Sequence, residues 1–292
     1  MVIKHLTHQS IDMEQWDQAV DSSANGLVYA RSWFLNVLAP GWNALIEENY
    51  RFVFPVPVKR KYKLPYIVQP MLTQQLGIFS ALPVNSTTIK AFIQKLPSYS
   101  FELNLNEANI FEEAEPQPNF VLELYLPYDQ LSKSFSKNTR RNIVKARNSG
   151  LSTICPDVET FMQFYGISKN KHQMNDMQLL ESLIKSGMNL KELFLSGVVD
   201  KEANLLATLC YTKYKNRLTF LLPVVGQEGK KALAMFYMID ELIRQNENSD
   251  VLLDFEGSRE EGVARFYESF GAINRPYYKI KSLRPSFLVG RI

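Results

Sequence analysis

The sequence predicts an α+β protein whose mixed sheets are flanked by helices and divided between two domains. At 292 residues the chain exceeds the usual size of one α/β domain, so two domains of about 120–170 residues are the default expectation. Strand-like runs interleave with segments of helical spacing in both halves. The acidic, proline-bearing stretch 109–119 interrupts all periodicity and predicts a linker or long loop, which places the domains at 1–118 and 119–292.

The first half opens with two segments of helical spacing and continues with runs rich in β-branched and aromatic residues. The predicted helices lie at 12–21, 30–38 and 87–96, and the predicted strands at 42–48, 50–60, 65–70 and 99–106. The aromatic residues of this half are expected to form its core, namely Trp33, Phe34, Trp42, Phe52 and Phe54.

The order of secondary-structure elements is clearer in the second half of the sequence. Three consecutive strand-like runs at 190–200, 204–214 and 217–225 are separated by short turns and predict an antiparallel meander. The other predictions are a strand at 120–126, helices at 127–148, 157–170, 176–186, 232–245 and 260–270, and strands at 250–257 and 277–283. The last strand, helix and strand are predicted to form a parallel βαβ unit, and Asp157 and Gly150 to cap helix ends.

Composition excludes several classes of protein. A net charge of +3 argues against a surface committed as a whole to nucleic acid. Two cysteines make no disulfide framework, and with three scattered histidines (His5, His8 and His172) they show no metal-ligand spacing. No segment has the length and apolar character of a secretory signal or a membrane span. We expect a soluble cytoplasmic protein without a metal and without a membrane span.

The sharpest concentration of charge lies in the predicted helix 127–148. It comprises Lys137, Arg140, Arg141, Lys145 and Arg147. Three of these residues repeat every four positions and would share one face. One interpretation is a site for an anionic substrate, such as a phosphorylated carrier, a nucleotide-linked sugar or tRNA. The other is a solvated helix face, the commoner outcome for such a run.

Two carboxylates, Asp254 and Glu256, are separated by one residue on the predicted strand 250–257 and would project to the same face. Ligands collect at the carboxyl ends of strands in open parallel sheets. One of the two is therefore a candidate general base that takes a proton from an acceptor amine. The alternative is that one of them caps the following helix or pairs with Arg259.

The order of elements in the second half resembles the GNAT acyltransferase fold: a meander, a glycine-bearing turn, a long helix, a strand, a helix and a strand. The segment Ala264–Gly271 is similar to the A-x-x-x-Y-x-x-x-G signature of GNAT enzymes. The stretch 232–271 resembles the FemAB/FemX branch, and so do 131–150 and 65–80. The resemblance implies two tandem GNAT-like domains, each a mixed sheet flanked by helices, of which the first lacks a cofactor and the second carries an acyl-CoA site.

By this resemblance Tyr267 would protonate the departing thiolate of coenzyme A. The competing interpretation is a core tyrosine, because Val263, Phe266, Tyr267 and Phe270 form an apolar helical stripe.

The turn after the meander departs from the GNAT pattern: GNAT enzymes usually carry a Gln/Arg-x-x-Gly-x-Gly/Ala pyrophosphate loop, whereas this chain has the segment GQEGKKA at 226–232. Two glycines next to a helix N-terminus still allow close approach of a pyrophosphate, with lysines nearby, although a simple strand-to-helix turn explains them as well. The predicted cofactor-binding residues are Val224, Val225, Gly226, Gly229, Lys230 and Lys231.

The sequence thus leads to an acyl-CoA-dependent N-acyltransferase, with acetyl-CoA as the expected co-substrate. The acceptor would be an amino group on a small or cell-wall or saccharide-type molecule, and Lys137, Arg140, Arg141 and Lys145 would bind substrate. Backbone donors of strand 218–225 would polarise the reacting carbonyl. Two alternatives stay open, a non-catalytic tandem-GNAT binding protein and a Fem-type transferase that uses aminoacyl-tRNA.

Overall fold

The structure is a computed structural model that describes residues 1–61, 64–97, 100–168, 177–258 and 260–283. His172 and Arg259 lie outside these residues. The strands are β1 (Ile3–Leu6), β2 (Asn43–Glu47), β3 (Phe52–Val56), β4 (Val58–Lys61), β5 (Leu64–Val68), β6 (Ser100–Leu105), β7 (Glu115–Gln117), β8 (Phe120–Glu123), β9 (Ser152–Ile154), β10 (Leu193–Val199), β11 (Leu205–Tyr214), β12 (Arg217–Val225), β13 (Leu252–Asp254), β14 (Ile273–Asn274) and β15 (Tyr277–Leu283). The helices are α1 (Met13–Ser22), α2 (Ser32–Leu38), α3 (Ser86–Gln94), α4 (Tyr128–Ser134), α5 (Lys137–Arg147), α6 (Val158–Ser168), α7 (Met177–Asn189), α8 (Gln227–Lys231), α9 (Ala234–Asn246) and α10 (Glu261–Glu268).

The chain forms two compact units. One comprises Met1–Pro118 together with the chain from Arg275, and the other is Asn119–Asn274. The mixed α/β architecture expected from the sequence is confirmed.

The first unit contains two sheets. Strands β1, β2 and β3 form an antiparallel sheet, and the second sheet has the order β4-β5-β6-β15-β7. Helix α3 packs its apolar face on the core, where the Phe92 ring stacks on Phe54 with ring centroids 6.2 Å apart. Of the predicted aromatic core residues, Phe34, Trp42, Phe52 and Phe54 are buried, whereas Trp33 is half-buried.

The stretch 109–119 lies outside helices and strands except for the three-residue β7, and Phe111 and Ala114 within it are buried in the core of the unit. One expectation for the end of this unit was wrong. The strand at 277–283 does not pair with the strand at 250–257. As β15 it lies between β6 and β7 and pairs antiparallel with both. The alternation of side chains in β15 is compatible with pairing in either sheet. Only its paired strands, β6 and β7, assign it to the sheet of the first unit.

The second unit is built on one seven-stranded sheet with the order β14-β8-β13-β12-β11-β10-β9. The predicted meander is confirmed, because β10, β11 and β12 pair antiparallel in sequence order. The parallel crossover runs from β12 through α9 to β13, one element earlier than the sequence predicts. Strand β13 pairs antiparallel with β8 on its other side.

Helices cover this sheet on both faces. Ala207 and Leu209 of β11 belong to the core cluster beneath α5, α9 and α10. The intervening Thr208 points to the opposite face, because successive side chains of a strand alternate. Helix α6 contacts β11 and β12, and α7 contacts β10.

One predicted helix is divided in the structure, and another is preceded by a short helix that the sequence did not predict. The helix predicted at 127–148 breaks after Ser134, and the Ser136 hydroxyl accepts the Thr139 N–H at 3.1 Å to begin α5. The helix predicted at 232–245 is preceded by the short α8, and Leu233 separates α8 from α9 with a left-handed φ of 61°. Asp157 caps α6 as predicted, since its carboxylate accepts the Thr160 N–H at 2.8 Å.

Gly229 provides a test of how α8 packs on the sheet. An ideal Cβ on Gly229 would lie 2.1 Å from the carbonyl oxygen of Leu206 in β11. We expect Gly229→Val to lower the free energy of unfolding by about 3 kcal/mol, because backbone cannot yield as a side chain can. Gly262→Ala is the control, since nothing lies within 4 Å of its added Cβ. It should raise stability by about 0.5–1 kcal/mol in chemical denaturation. Equal effects of the two variants would contradict this packing role.

Candidate active site

In the second unit the pairing of β12 with β13 ends before β12 does, and the side of β12 that β13 leaves unpaired beyond Thr219 is called the cleft. Their parallel ladder covers only Arg217–Thr219 of β12 and Leu252–Asp254 of β13. Strand β12 continues to Val225, and its register against β11 shifts between Cys210 and Thr212. Such a shift marks a β-bulge, which bends a strand and increases its twist. The second half of β12 therefore has no partner on the β13 side among the described residues.

Backbone alternation identifies the donors that face this cleft. The Gly226 N–H donates to the Leu206 carbonyl of β11 at 3.0 Å. Alternate residues of a strand direct their N–H groups to the same side, so the Val224 N–H points to β11 and the Val225 N–H points away. The backbone nitrogen of Pro223 also points away from β11, but proline has no N–H and so supplies no donor there. Val225 thus supplies a backbone donor at the cleft.

Asp254, one of the two predicted carboxylates, is completely buried at the end of β13. Its Oδ2 accepts a hydrogen bond from Arg217 Nη1 at 2.7 Å, and its Oδ1 accepts the Glu256 N–H at 2.9 Å. Both carboxylate oxygens are therefore engaged in holding β12, β13 and the chain that follows. Arg217 is not among the residues predicted from the sequence, although its position as the one charged residue of β12 was an available signal.

Glu256 is placed differently from Asp254 by a local distortion of the strand. The N–H of Phe120 donates to the Glu256 carbonyl at 3.0 Å, while the Phe120 carbonyl accepts from Phe255 at 2.9 Å. Two residues thus face one, as in a β-bulge, which is a device that redirects side chains near active sites. Glu256 has a left-handed φ of 60°, an uncommon conformation for a residue other than glycine. The predicted common face for the two carboxylates is not formed.

Tyr267 lies within the core beneath this bulge. Its side chain is 7% exposed, and its ring stacks on Phe255 with centroids 4.8 Å apart and an interplanar angle of 18°. The ring of Phe220 meets it edge-on. Burial raises the pKa of the Tyr267 phenol, and the nearby Glu256 carboxylate raises it further. The residue is thus a packed core tyrosine whose phenol stays protonated and lies close to the charge of Glu256.

The glycine turn at 226–231 is a short helix and not an open loop. Gly229 is buried against the Leu206 carbonyl, so its lack of a side chain serves packing. The Lys230 N–H donates to Gly226 within α8, and the side chain of Lys231 pairs with Glu228 at 2.7 Å. Part of the backbone donors and one of the two lysines expected at a pyrophosphate are therefore occupied within the protein.

The predicted substrate-binding cations lie together on α5. Lys137, Arg140, Arg141 and Lys145 are all exposed. Arg141 donates to Asn138 Oδ1 at 2.7 Å, and Arg140 approaches the Lys133 carbonyl at 3.3 Å. None of the four has a carboxylate partner among the described residues.

Arg147, the fifth cation of this segment, is bound inside the protein. Its Nε donates to Asp240 Oδ2 at 2.6 Å, and it also pairs with Glu241 of α9. Asp240 is completely buried, and it also accepts bonds from Arg244 and from the Tyr128 hydroxyl. Burial and the bond to Asp240 raise the pKa of Tyr128 to about 12. This network fixes α5 against α9, and sequence spacing alone carried no sign of it.

The described residues contain no metal-ligand cluster and no membrane-spanning helix. No group of three histidine, cysteine, aspartate or glutamate side chains there is arranged to hold a metal ion. Among the helices described, none combines the length and the apolar character that crossing a bilayer requires.

The second unit has the features of a GNAT-type fold: a seven-stranded mixed sheet, the parallel pair β12 and β13, and the crossover helix α9 between them. Solved structures with a tandem GNAT fold match the chain. The FemAB family model matches residues 57–179. The structure of FemX is similar over 100% of both chains, with a TM-score of 0.70 at 13% identity. The resemblance drawn from the sequence is confirmed: the chain is similar to FemAB and FemX proteins, and it has the tandem GNAT fold.

Other solved structures share this fold. L-PGS from Bacillus licheniformis matches with a TM-score of 0.54 at 9% identity over 88% of this chain and 89% of its own. A tandem GNAT protein from the clavulanic acid biosynthesis pathway matches with a TM-score of 0.52 at 8% identity over 96% and 98%. No curated protein matches the chain in sequence. The family match and these neighbours together support an acyltransferase-type enzyme.

The buried ion pair at the base of the cleft gives a stability prediction. We expect Asp254→Asn to lower the free energy of unfolding by about 3 kcal/mol, because it removes the buried carboxylate that pairs with the largely buried Arg217 guanidinium. Chemical denaturation measures this loss. The double variant Arg217→Gln with Asp254→Asn should lose less than the sum of the two single variants. Additive losses would show that the two side chains do not act as a pair.

Proposed function

We propose that this protein transfers an aminoacyl group from tRNA to an amine at the cleft between β12 and β13. The observation that carries the proposal is the positive charge of α5 and of the chain on either side of it. Residues 130–156 contain six lysines and arginines and no aspartate or glutamate. Four of the six, on α5, are exposed and without carboxylate partners in the described chain. A surface of this kind suits a polyanion such as tRNA.

The position of the cations on the helix strengthens the case for a ligand. Lys137 is the first residue of α5, and Arg140 and Arg141 follow within the next turn. The N-terminus of a helix carries partial positive charge, so cations there destabilise the helix. A bound phosphate would reverse this repulsion and would also accept hydrogen bonds from the unpaired N–H groups of the first turn.

The nature of the leaving group provides a second line of support. An ester of tRNA releases a ribose alkoxide, whereas a thioester of coenzyme A releases a thiolate that is far less basic. General acid catalysis is most useful when the leaving group is strongly basic. Tyr267, whose pKa burial raises, stays protonated at neutral pH and suits an alkoxide better than a thiolate.

The proposed reaction is direct aminolysis of the ester. The acceptor amine attacks the ester carbonyl, a C–N bond forms, and the C–O bond to the ribose breaks. Glu256 takes the proton from the attacking amine, and the phenol of Tyr267 gives a proton to the departing oxygen. The Val225 N–H stabilises the oxyanion that develops on the carbonyl. Asp254 and Arg217 hold Glu256 in place and do not exchange protons with the substrate.

An acyl-CoA donor, with acetyl-CoA first, is the second candidate. The divergence of β12 and β13 with a backbone donor at Val225 favours it, since that cleft accepts either carbonyl. The exposed Lys230 would then contact phosphate. The acceptor for either donor is an amine of a small or cell-wall or saccharide-type molecule.

Variants can show whether tRNA binds to the basic residues of α5 or to the lysines that follow the glycine turn. We expect the triple variant Lys137→Gln, Arg141→Gln, Lys145→Gln to weaken tRNA binding, and the dependence of log Kd on log salt to become shallower by about 2–3. The variant Lys230→Gln, Lys231→Gln is the matched control and should bind tRNA like the wild type. Filter binding over a salt series measures both.

The same two variants separate the two donors. One result would identify an acyl-CoA, and not aminoacyl-tRNA, as the donor: acetyl-CoA stabilises the wild type and the triple variant but not the variant of Lys230 and Lys231. A protein that binds neither donor would contradict both enzymatic candidates and favour the non-catalytic binding protein.

Tyr267 is tested by its hydroxyl alone. We expect Tyr267→Phe to lower the rate of transfer from an aminoacyl ester by about 100-fold, with tRNA affinity unchanged. The fold should persist, because the hydroxyl has no hydrogen-bond partner among the described residues. Tyr211→Phe, at a half-buried tyrosine of β11, is the control. With a thioester donor, whose thiolate needs no proton to leave, the loss at Tyr267 should be much smaller. An equal loss with both donors would exclude the role of proton donor.

A further inference from the structure

Three asparagines are completely buried, and they differ in their hydrogen bonds. Asn106 and Asn109 are bonded through both amide atoms; for example, Asn109 Oδ1 accepts the Ile78 N–H at 2.6 Å and its Nδ2 donates to the Ile78 carbonyl at 3.1 Å. Neither Oδ1 nor Nδ2 of Asn119 has a hydrogen-bond partner in the described chain. Buried amides are nearly always bonded, so an exception calls for a reason.

The position of Asn119 supplies that reason. It immediately precedes Phe120, the residue whose backbone bonds both to Phe255 and to Glu256 at the bulge of β13. The main chain of Asn119 is held in place, because its N–H donates to Asn274 Oδ1 at 3.1 Å. The amide without partners therefore belongs to a residue whose main chain is fixed and whose neighbour Phe120 bonds to the backbone of Glu256, the group to which we assign the proton transfer.

We propose that Asn119 is a substrate-binding residue for the acceptor amine, an inference that rests on the function proposed above. Its Oδ1 accepts an N–H of the amine, and its Nδ2 donates to a carbonyl oxygen on the same acceptor. A side chain with one acceptor and two donors matches an amine that stands next to an amide. The preferred acceptor is therefore an α-amino amide, and not a simple alkylamine.

This role has an energetic signature that a structural role does not share. An unbonded buried amide destabilises the free protein, so an apolar residue of similar size should be tolerated or should stabilise it. A bonded structural amide behaves in the opposite way, because its loss leaves the former partners unpaired. Asn119→Leu and Asn109→Leu thus form a matched pair of variants.

The experiment compares these two variants with the wild type. We expect Asn119→Leu to leave Tm unchanged or to raise it by about 2–4 °C, whereas Asn109→Leu lowers it. Glycinamide and ethylamine serve as acceptors and as ligands in thermal unfolding. The wild type should be stabilised more by glycinamide and should transfer to it with the lower KM, and Asn119→Leu should lose that preference by about 10-fold or more.

Several outcomes would overturn the proposal. A fall in Tm for Asn119→Leu like that of Asn109→Leu would assign Asn119 a structural role. An unchanged preference for glycinamide over ethylamine in Asn119→Leu would show that its amide does not contact the acceptor, and a wild type that glycinamide does not stabilise would do the same. A wild type that is stabilised by glycinamide and loses this response in Asn119→Leu, yet transfers from no donor, would contradict the proposed function and leave the binding role standing.

Discussion

The short parallel ladder between β12 and β13 is the constraint on which the candidate site depends. Only three residues of each strand pair, and the ion pair between Arg217 and Asp254 crosses this ladder. The same carboxylate accepts the Glu256 N–H and so stabilises the bulge that turns Glu256 out of the strand. Because pairing ends at Thr219, the rest of β12 keeps its cleft-facing backbone free of β13. The buried carboxylate of Asp254 thus stabilises the short paired part of β12 and β13, and the unpaired part of β12 begins directly after it.

A second buried carboxylate, Asp240, has a comparable role on the helical side. It joins α4, α5 and α9 through Tyr128, Arg147 and Arg244. The guanidinium of Arg244 also lies 3.4 Å from the centroid of the Tyr128 ring. Burial of such a charge is tolerated only when its partners are present, so the network sets the position of α5 closely. Five cationic residues lie near one another in the sequence of α5. The network binds Arg147 to Asp240, whereas Lys137, Arg140, Arg141 and Lys145 remain exposed on the helix surface.

The candidate site combines a rigid part with an electrostatic part. The bulge, the stacked rings of Phe255 and Tyr267 and the anchored backbone of Asn119 are packed and hydrogen-bonded, so their geometry is set before any ligand binds. Preorganisation of this kind places donors and acceptors where charge develops during transfer. The cations of α5 act over a longer range and have little need of precise geometry. The two parts together suit a large anionic carrier that delivers a small reacting group.

Periodicity determined most of the elements, because the burial of one face imposes a spacing of two or of 3.6 on any strand or helix. It predicted the meander of β10, β11 and β12, the cap at Asp157 and the exposed basic set on α5. It did not predict that β15 joins the sheet of the first unit, that the helix at 127–148 breaks between Ser134 and Lys137, or that the turn at 226–231 forms a short helix. Those outcomes depend on register partners and on local capping, which periodicity does not contain.

The sequence by itself determined which residues carry charge and which segments are apolar, and with these the fold class and the family resemblance. Only the tertiary structure decided what each polar group does. Asp254 and Glu256 look equivalent on a strand, yet one is buried in an ion pair and the other is turned by a bulge. Asn119 looks like any asparagine at the start of a strand, yet it alone of the three fully buried asparagines lacks amide bonds within the described residues. The physical reason is that a polar group's role is set by the partners and the burial that long-range contacts give it, and these are not local properties of the chain.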